Sequence, residues 1–393
     1  MSVTDRWLLP EGIDELLPPA AARIERLRRD VLDLFACWGY ELIMPPLIEY
    51  LDSLLTGLGT DLDLQTFKLI DQRSGRLLGI RADTTPQAAR IDAHRLGRDG
   101  AVRLCYLNSV LHAQSGGGEG TRNPLQLGAE LYGHAGIESD AEIVSLLLAV
   151  LRLVGAGNAF LNLSHIGIFR GLADAAGLDP ARGAELFEIL QRKAEPDLVQ
   201  RLEEWRVPAP ARTMLTALVD LNGGLEVLAR ARRTLAGGGG AVLSAVDQIE
   251  RLAGLVARSA PHAVLHVDLA EMRGFGYHTG IMFEAFLPGI GRSVAWGGRY
   301  DDIGRVFGRA RPATGFSADL KVLAAVDTRP AHGAGMILAP ADEDADLLAF
   351  IDRLRGTGER VLRELPGQAV DPVACGCDRR LAHRDGGWRI EPL

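Results

Sequence analysis

Residues 102–111 (VRLCYLNSVL) and 124–136 (PLQLGAELYGHAG) are two apolar, strand-like runs joined by HAQSGGGEGTRN, residues 112–123. The connection is polar and glycine-rich, so it supplies no crossover helix. Parallel neighbours need such a crossover, whereas antiparallel neighbours can be joined by a hairpin loop. The pair therefore predicts an antiparallel hairpin, and other segments agree with it. FKLIDQRSGRLLGI (67–80) reads as strand, turn, strand, with Ser74-Gly75 at the turn. Strands do not alternate regularly with helices, which argues against a doubly wound parallel sheet. The expected class is α+β, an antiparallel sheet flanked by helices.

The helices declare themselves by period. Ile24, Leu27, Val31, Leu34, Phe35 and Trp38 make one continuous apolar stripe, with Arg23, Arg26, Arg28 and Arg29 mostly on the other side. Gly39 ends that helix. Pro86 opens another over PQAARIDAHRL. Ser139-Asp140-Ala141-Glu142 reads as a capping box that starts an apolar helix to about Val154. Its run IVSLLLAVLRLVGAG carries Arg152 and falls short of the roughly 20 residues of a membrane span, so a buried helix is expected. AFLNLSHIGIF (159–169) reads as a strand. From about 170 to 260 the chain is Ala-, Leu-, Glu- and Arg-rich in helical periods, which predicts a helical insertion within a core of residues 1–328. β-Structure returns in AVLHVDLAEMRGFGYHTGIMFEAF (263–286), and residues 329–393 form a small C-terminal α/β unit.

Lys and Arg number 43 against 51 Asp and Glu, a net charge of −8. That balance weighs against a protein whose main task is to hold RNA or DNA. Four cysteines in 393 residues make no disulfide framework. Cys375 and Cys377 have only His383 nearby, so a reduced pair without a metal is expected. The first residues, MSVTDRWLLPEG, show no apolar core after a basic start, and cytoplasm is the expected location.

Three stretches concentrate polar residues amid apolar strands: Arg81–Thr85, Gln126–Glu130 and Arg273–Gly280. Side chains two apart in a strand share a face. Gln126, Gly128 and Glu130 therefore line one face, a small floor with acceptors at both ends that suits an ammonium or an imidazole. A single such strand reads more readily as a solvated outer face; three together favour a ligand floor. Gly297, Gly298 and Gly315 permit close approach of backbone or ligand. The glycine loop leads into a strand, not a helix N-terminus, so it lacks the usual phosphate cradle.

Taken together the stretches resemble class II aminoacyl-tRNA synthetases, and specifically histidyl-tRNA synthetase, over about residues 8–325. LLPEGIDELLPPAAARIERLRRDVLDLFACWGYELIMPPLIEY is similar to the first class II motif, the hairpin to the second, and WGGRYDDIGRVFG with ATGFSADLKVL to the third. RGFGYHTGIMFEA resembles the signature of the histidine enzyme. The resemblance implies histidine contacts at Asp83, Thr85, Gln126, Glu130, Arg273, Tyr277 and His278. It also implies a dimer interface in the first motif, assigned to the apolar stripe of its helix, for which intrachain core is the competing reading. The synthetase arginines that hold the ATP phosphates fall on His112 and Val322, and an acid of the second motif on Gln114. Lys321 is expected to face away from that place, about 100° round the helix from Val322. Adenylation needs fixed positive charge on the triphosphate, so the ATP half is expected to be degenerate.

A synthetase-like core without those arginines, followed by a tail that reads as truncated, resembles the regulatory subunits of ATP phosphoribosyltransferase. That resemblance implies a non-catalytic chain without cofactor. Its partners would be a short-form catalytic subunit of ATP phosphoribosyltransferase, a second copy of itself and L-histidine as effector, with no tRNA and no membrane. A divergent active histidyl-tRNA synthetase and a stand-alone amino-acid sensor are the competing readings.

Overall fold

The stripe read in the sequence folds as the Ala20–Cys37 helix, and Ile24, Leu27, Val31 and Phe35 are all buried. Each such side chain contributes about 1.5–3 kcal/mol when fully buried. The stripe faces the chain's own core, where the half-buried Leu34 also packs. This corrects the assignment of that stripe to a dimer interface: a face already covered by its own sheet and helices has nothing left to offer a partner. The computed structural model describes residues 7–55, 60–114, 121–271, 277–329, 335–368 and 370–393. The chain divides into two compact units, Met1–Thr328 and Arg329–Leu393.

In chain order the strands of the first unit are β1 (Glu41–Leu42), β2 (Ile48–Tyr50), β3 (Phe67–Ile70), β4 (Leu77–Ile80), β5 (Val102–Ser109), β6 (Leu125–Tyr132), β7 (Phe160–His165), β8 (Asn222–Gly223), β9 (Val264–Asp268), β10 (Ile281–Phe286), β11 (Ala295–Arg299) and β12 (Ala313–Asp319). Among the described residues, nine of them form one sheet in the order β1-β5-β6-β12-β11-β10-β7-β9-β8. The six strands from β5 to β7 in that order are antiparallel to their neighbours. The pairs β1–β5 and β7–β9, nearer the margins, are parallel. A small second sheet, β2-β4-β3, carries the turn predicted at Ser74-Gly75. Gly75 is left-handed there, with φ of 70°.

One face of the large sheet is closed by helices. The Ile137–Leu153 helix buries Ile143, Val144, Leu146, Leu147, Val150 and Leu151 in the same core as Leu127, Ala129 and Leu131 of β6. It starts at Ile137 with no side-chain cap, so the capping box is a misreading. Its residues serve distant partners instead. Asp140 and Ser139 bind Arg299, at 2.8 Å each, and Glu142 binds Arg103. The strand read over 159–169 ends at His165. That ring accepts the Gly167 amide at 3.0 Å and caps the Ile166–Ala175 helix. Further helices, Pro180–Gln191, Glu195–Glu204, Ala209–Ala217, Glu226–Thr234 and Gly240–Ser259, fill the segment read as an insertion, and β8 joins the sheet edge from within it.

The second unit has β13 (Met336–Ala339), β14 (Val361–Arg363), β15 (Cys377–Arg384) and β16 (Gly387–Pro392), in the order β14-β13-β15-β16. The Ala345–Gly356 helix packs on it through Leu347 and Ile351. Its N-cap is Asp344, which accepts the Asp346 and Leu347 amides and also the Trp388 indole. Cys375 and Cys377 carry free thiols. Among the described residues no helix is long and apolar enough to cross a membrane.

Candidate functional site

The other face of the large sheet carries the polar residues. Register places Tyr106 beside Gly128, Gly128 beside Ser317, Ser317 beside Trp296, and Trp296 beside Glu284. Two residues along, Glu130 stands beside Gly315 and Gly315 beside Gly298. Alternation puts both rows on one face, opposite the core residues Leu127 and Ala129. The floor predicted from Gln126, Gly128 and Glu130 therefore exists, and it is not solvated: Gln126 and Glu130 are both buried.

Glu130 is the most constrained group on it. The Tyr106 hydroxyl donates to Oε1 at 3.0 Å, and the Tyr300 hydroxyl donates to Oε2. Burial nevertheless pushes its carboxyl up to about 8, because two neutral donors do not replace the water it has lost. Gly315 is required there, since a Cβ would overlap the Glu130 carboxylate. Tyr106 also lies 3.0 Å from Thr85 Oγ1 and 2.9 Å from Ser317 Oγ, which joins the strands to the next element.

That element is the turn before the Thr85–Arg90 helix. Asp83 Oδ1 accepts the Thr85 amide at 3.0 Å and the Gln126 Nε2 at 2.7 Å. Gln126 Oε1 accepts the Thr84 amide at 2.8 Å. The amide of Gln126 is thus used to fix Asp83 and Thr84, and Asp83 in turn holds the Thr85 amide. Asp83, Thr85, Glu130, Tyr277 and His278 line one narrow cleft, together with Trp296, Tyr300 and Ser317. The Tyr277 and His278 rings lie 4.2 Å apart and form its wall. Arg273 lies outside the described residues. Tyr106, Tyr300, Ser317 and Trp296 were not singled out in the sequence; only cross-strand register brings them here. The arrangement sets two carboxylates, Asp83 and Glu130, beside the aromatic rings of Tyr277, Tyr300 and Trp296, a chemistry that suits a cation.

The places of the synthetase ATP contacts are built differently. His112 is half-buried, and its Nε2 lies 3.0 Å from the Ala82 carbonyl. Arg122 donates to the His112, Ala113 and Glu11 carbonyls, at 2.9, 3.0 and 3.0 Å, and so ties the hairpin to the N-terminal segment. Gln114 is exposed. Val322 packs against the apolar core. Lys321 binds Asp14 at 2.9 Å, and the same carboxylate accepts the Thr121 hydroxyl from the hairpin connection.

Comparison with known proteins extends this picture. Residues 12–323 match the histidyl-tRNA synthetase family, and residues 334–391 match the ATP phosphoribosyltransferase subunit HisZ C-terminal domain. The ATP phosphoribosyltransferase regulatory subunit of Alkalilimnicola ehrlichii is 58% identical, over 100% of this chain and 98% of its own length. That of Thioalkalivibrio sulfidiphilus is 56% identical over 100% of both. A crystal structure described as an ATP phosphoribosyltransferase regulatory subunit/histidyl-tRNA synthetase from Bacillus halodurans superposes with a TM-score of 0.82 at 25% identity, covering 94% of this chain and 95% of the other. The histidyl-tRNA synthetase of Nostoc sp. PCC 7120 shares the fold, with a TM-score of 0.78 at 19% identity over 96% and 91%. With a synthetase-type core, a HisZ-type C-terminal domain and full-length relatives above half identity, the chain belongs to the ATP phosphoribosyltransferase regulatory subunit family.

Proposed function

We propose that this chain is a non-catalytic regulatory subunit that assembles with the short-form catalytic subunit of ATP phosphoribosyltransferase and conveys feedback by L-histidine on the first step of histidine biosynthesis. The effector sits in the cavity between Asp83, Thr85, Glu130, Tyr277 and His278. Glu130 faces the imidazole and Asp83 the ammonium, while the carboxylate is assigned to Arg273 by the family resemblance alone. Gln126 acts through Asp83 and Thr84. The observation that carries this reading is the buried Glu130, held by two tyrosines on an otherwise intact amino-acid floor. Val322, packed on the core, and Lys321, engaged by Asp14, support a degenerate ATP half, and with it the absence of adenylation and of tRNA charging. The chain works in the cytoplasm, where this biosynthetic step would take place.

A second copy is also a partner in this reading, through a different surface from the one first assigned. Ile48, Tyr50, Leu78, Ile80, Phe67 and Leu69 share one face of the β2-β4-β3 sheet, and none of them is fully buried. Ile48 and Tyr50 are exposed, as are the neighbouring Leu42 and Met44. An apolar sheet face of this kind on a folded chain suits a self-association surface.

The deciding experiment is phosphoribosyl-ATP formation by a short-form catalytic subunit, with and without this chain, then with histidine added. Stimulation that histidine reverses is the expected result. No stimulation, together with histidine-dependent ATP–pyrophosphate exchange by this chain alone, would overturn it.

A further inference from the structure

A second cavity lies on the same sheet face and includes Asn162, Ser164, Glu271 and Glu284 in its lining. Among the described residues the two cavities share only Tyr277, His278, Trp296 and Gly297. Strand register shows how they are divided. Ser317, Trp296 and Glu284 follow one another across β12, β11 and β10 in one row. Ser317 lines the smaller cavity alone, Glu284 the larger one alone, and the indole between them lines both. Gly297 and Gly298 follow it along β11, so no neighbouring side chain of that strand helps to separate the two spaces. Trp296 keeps 37% of its surface exposed although it stands among buried residues.

We propose that Trp296 is a partition that sets the length of the ligand: it ends the histidine pocket at a single amino acid and denies it the space beside Glu284 and Asn162. This inference rests on the histidine reading of the smaller cavity and adds a specificity-determining residue to it. The Tyr277–His278 pair lines the space beside the indole, with the His278 ring over Gly298. A ligand lengthened by one residue must displace one of these rings or leave its imidazole short of Glu130. Removing the indole joins the cavities, and the added residue then finds the acceptors of Glu284, Asn162 and Ser164.

The test measures dissociation constants by calorimetry for L-histidine and for the dipeptides His-Gly and Gly-His. The proteins are the full-length wild type and the Trp296→Ala, Trp296→Leu and Trp296→Phe variants, each checked by thermal melting. Wild type is expected to prefer histidine over both dipeptides by at least about tenfold, the usual scale for excluding a small extra group. Trp296→Ala and Trp296→Leu should bring at least one dipeptide to within about threefold of histidine, while Trp296→Phe keeps most of the preference. An unchanged preference in folded Trp296→Ala or Trp296→Leu overturns the partition and leaves the histidine pocket standing. Absence of histidine binding to wild type overturns both.

Discussion

Replacing Glu130 by Gln tests the pocket through its protons. Burial holds the Glu130 carboxyl at about 8, so near pH 7 most empty pockets carry the proton. The imidazole of free histidine titrates near ~6.5 and is mostly neutral there. Brought together, the two groups share that one proton as a carboxylate–imidazolium pair. Between about pH 6.5 and 8 the complex then holds as many protons as the separated partners, and affinity should be flat. Above about pH 8 the empty pocket has already lost its proton and must take one up on binding, so affinity falls by about tenfold per pH unit. Below about 6.5 the free ring carries an extra proton that binding must expel, and affinity falls again with the same slope. Glu130→Gln should weaken binding at pH 7 by roughly ten- to 150-fold, the ~1.5–3 kcal/mol of a hydrogen bond to a charged group. It should also abolish the alkaline fall while keeping the acid one. Calorimetry from pH 5.5 to about 8.8, in buffers of different ionisation enthalpy, counts the protons directly. An alkaline limb as steep in Glu130→Gln as in wild type would refute the assignment of the proton to Glu130.

The same raised carboxyl makes a prediction for the empty protein. The unfolded chain ionises Glu130 near its ordinary 4.5 while the folded chain resists until about 8, so the fold loses stability as pH rises through that window, by about 1.4 kcal/mol per pH unit. Glu130→Gln should flatten this dependence in urea titrations; an equally steep decline in the variant would show that another group is responsible. Arg299→Met leaves Asp140 buried without its cation and should cost roughly 3–5 kcal/mol, read from the urea midpoint. A loss below about 1 kcal/mol would show that the pair contributes little. Leu27→Asp should unfold the chain, whereas Ile48→Asp with Tyr50→Asp should yield a folded monomer by light scattering. A dimer that survives the double variant would remove the β2-β4-β3 face from consideration.

Local periodicity carried much of the fold. The Ala20–Cys37 stripe, the β5–β6 hairpin and the β3–β4 turn were legible because their pattern repeats within a few residues. The helix start at Ile137 was not, because Ser139, Asp140 and Glu142 have the chemistry of a cap but bind Arg299 and Arg103. The strand end at His165 was hidden in an unbroken apolar run, where the cap is a ring nitrogen that sequence does not orient. In the site, Asp83, Thr85, Gln126 and Glu130 stood out as polar residues in apolar surroundings. Tyr106, Tyr300, Ser317 and Trp296 did not, since aromatic and small residues in strands ordinarily read as packing. Their role follows from register between strands that lie far apart in the chain.

The order of the large sheet has a consequence for how the protein is made. β10, β11 and β12 come last among its strands in the chain yet lie between β6 and β7 in space. An emerging chain that has reached the end of β9 holds β1-β5-β6 on one side and β7-β9-β8 on the other, with helices behind them but no strand to join them. Each half presents an open strand edge, the kind of template on which chains aggregate. Loop closure over such separations is slow, since its entropy must be met before the contacts form. Synthesis from the N-terminus therefore leaves the ligand face unassembled until the final strands slot into the gap like a keystone. A newborn chain cannot assemble the cleft around Glu130 before its core is almost entirely translated.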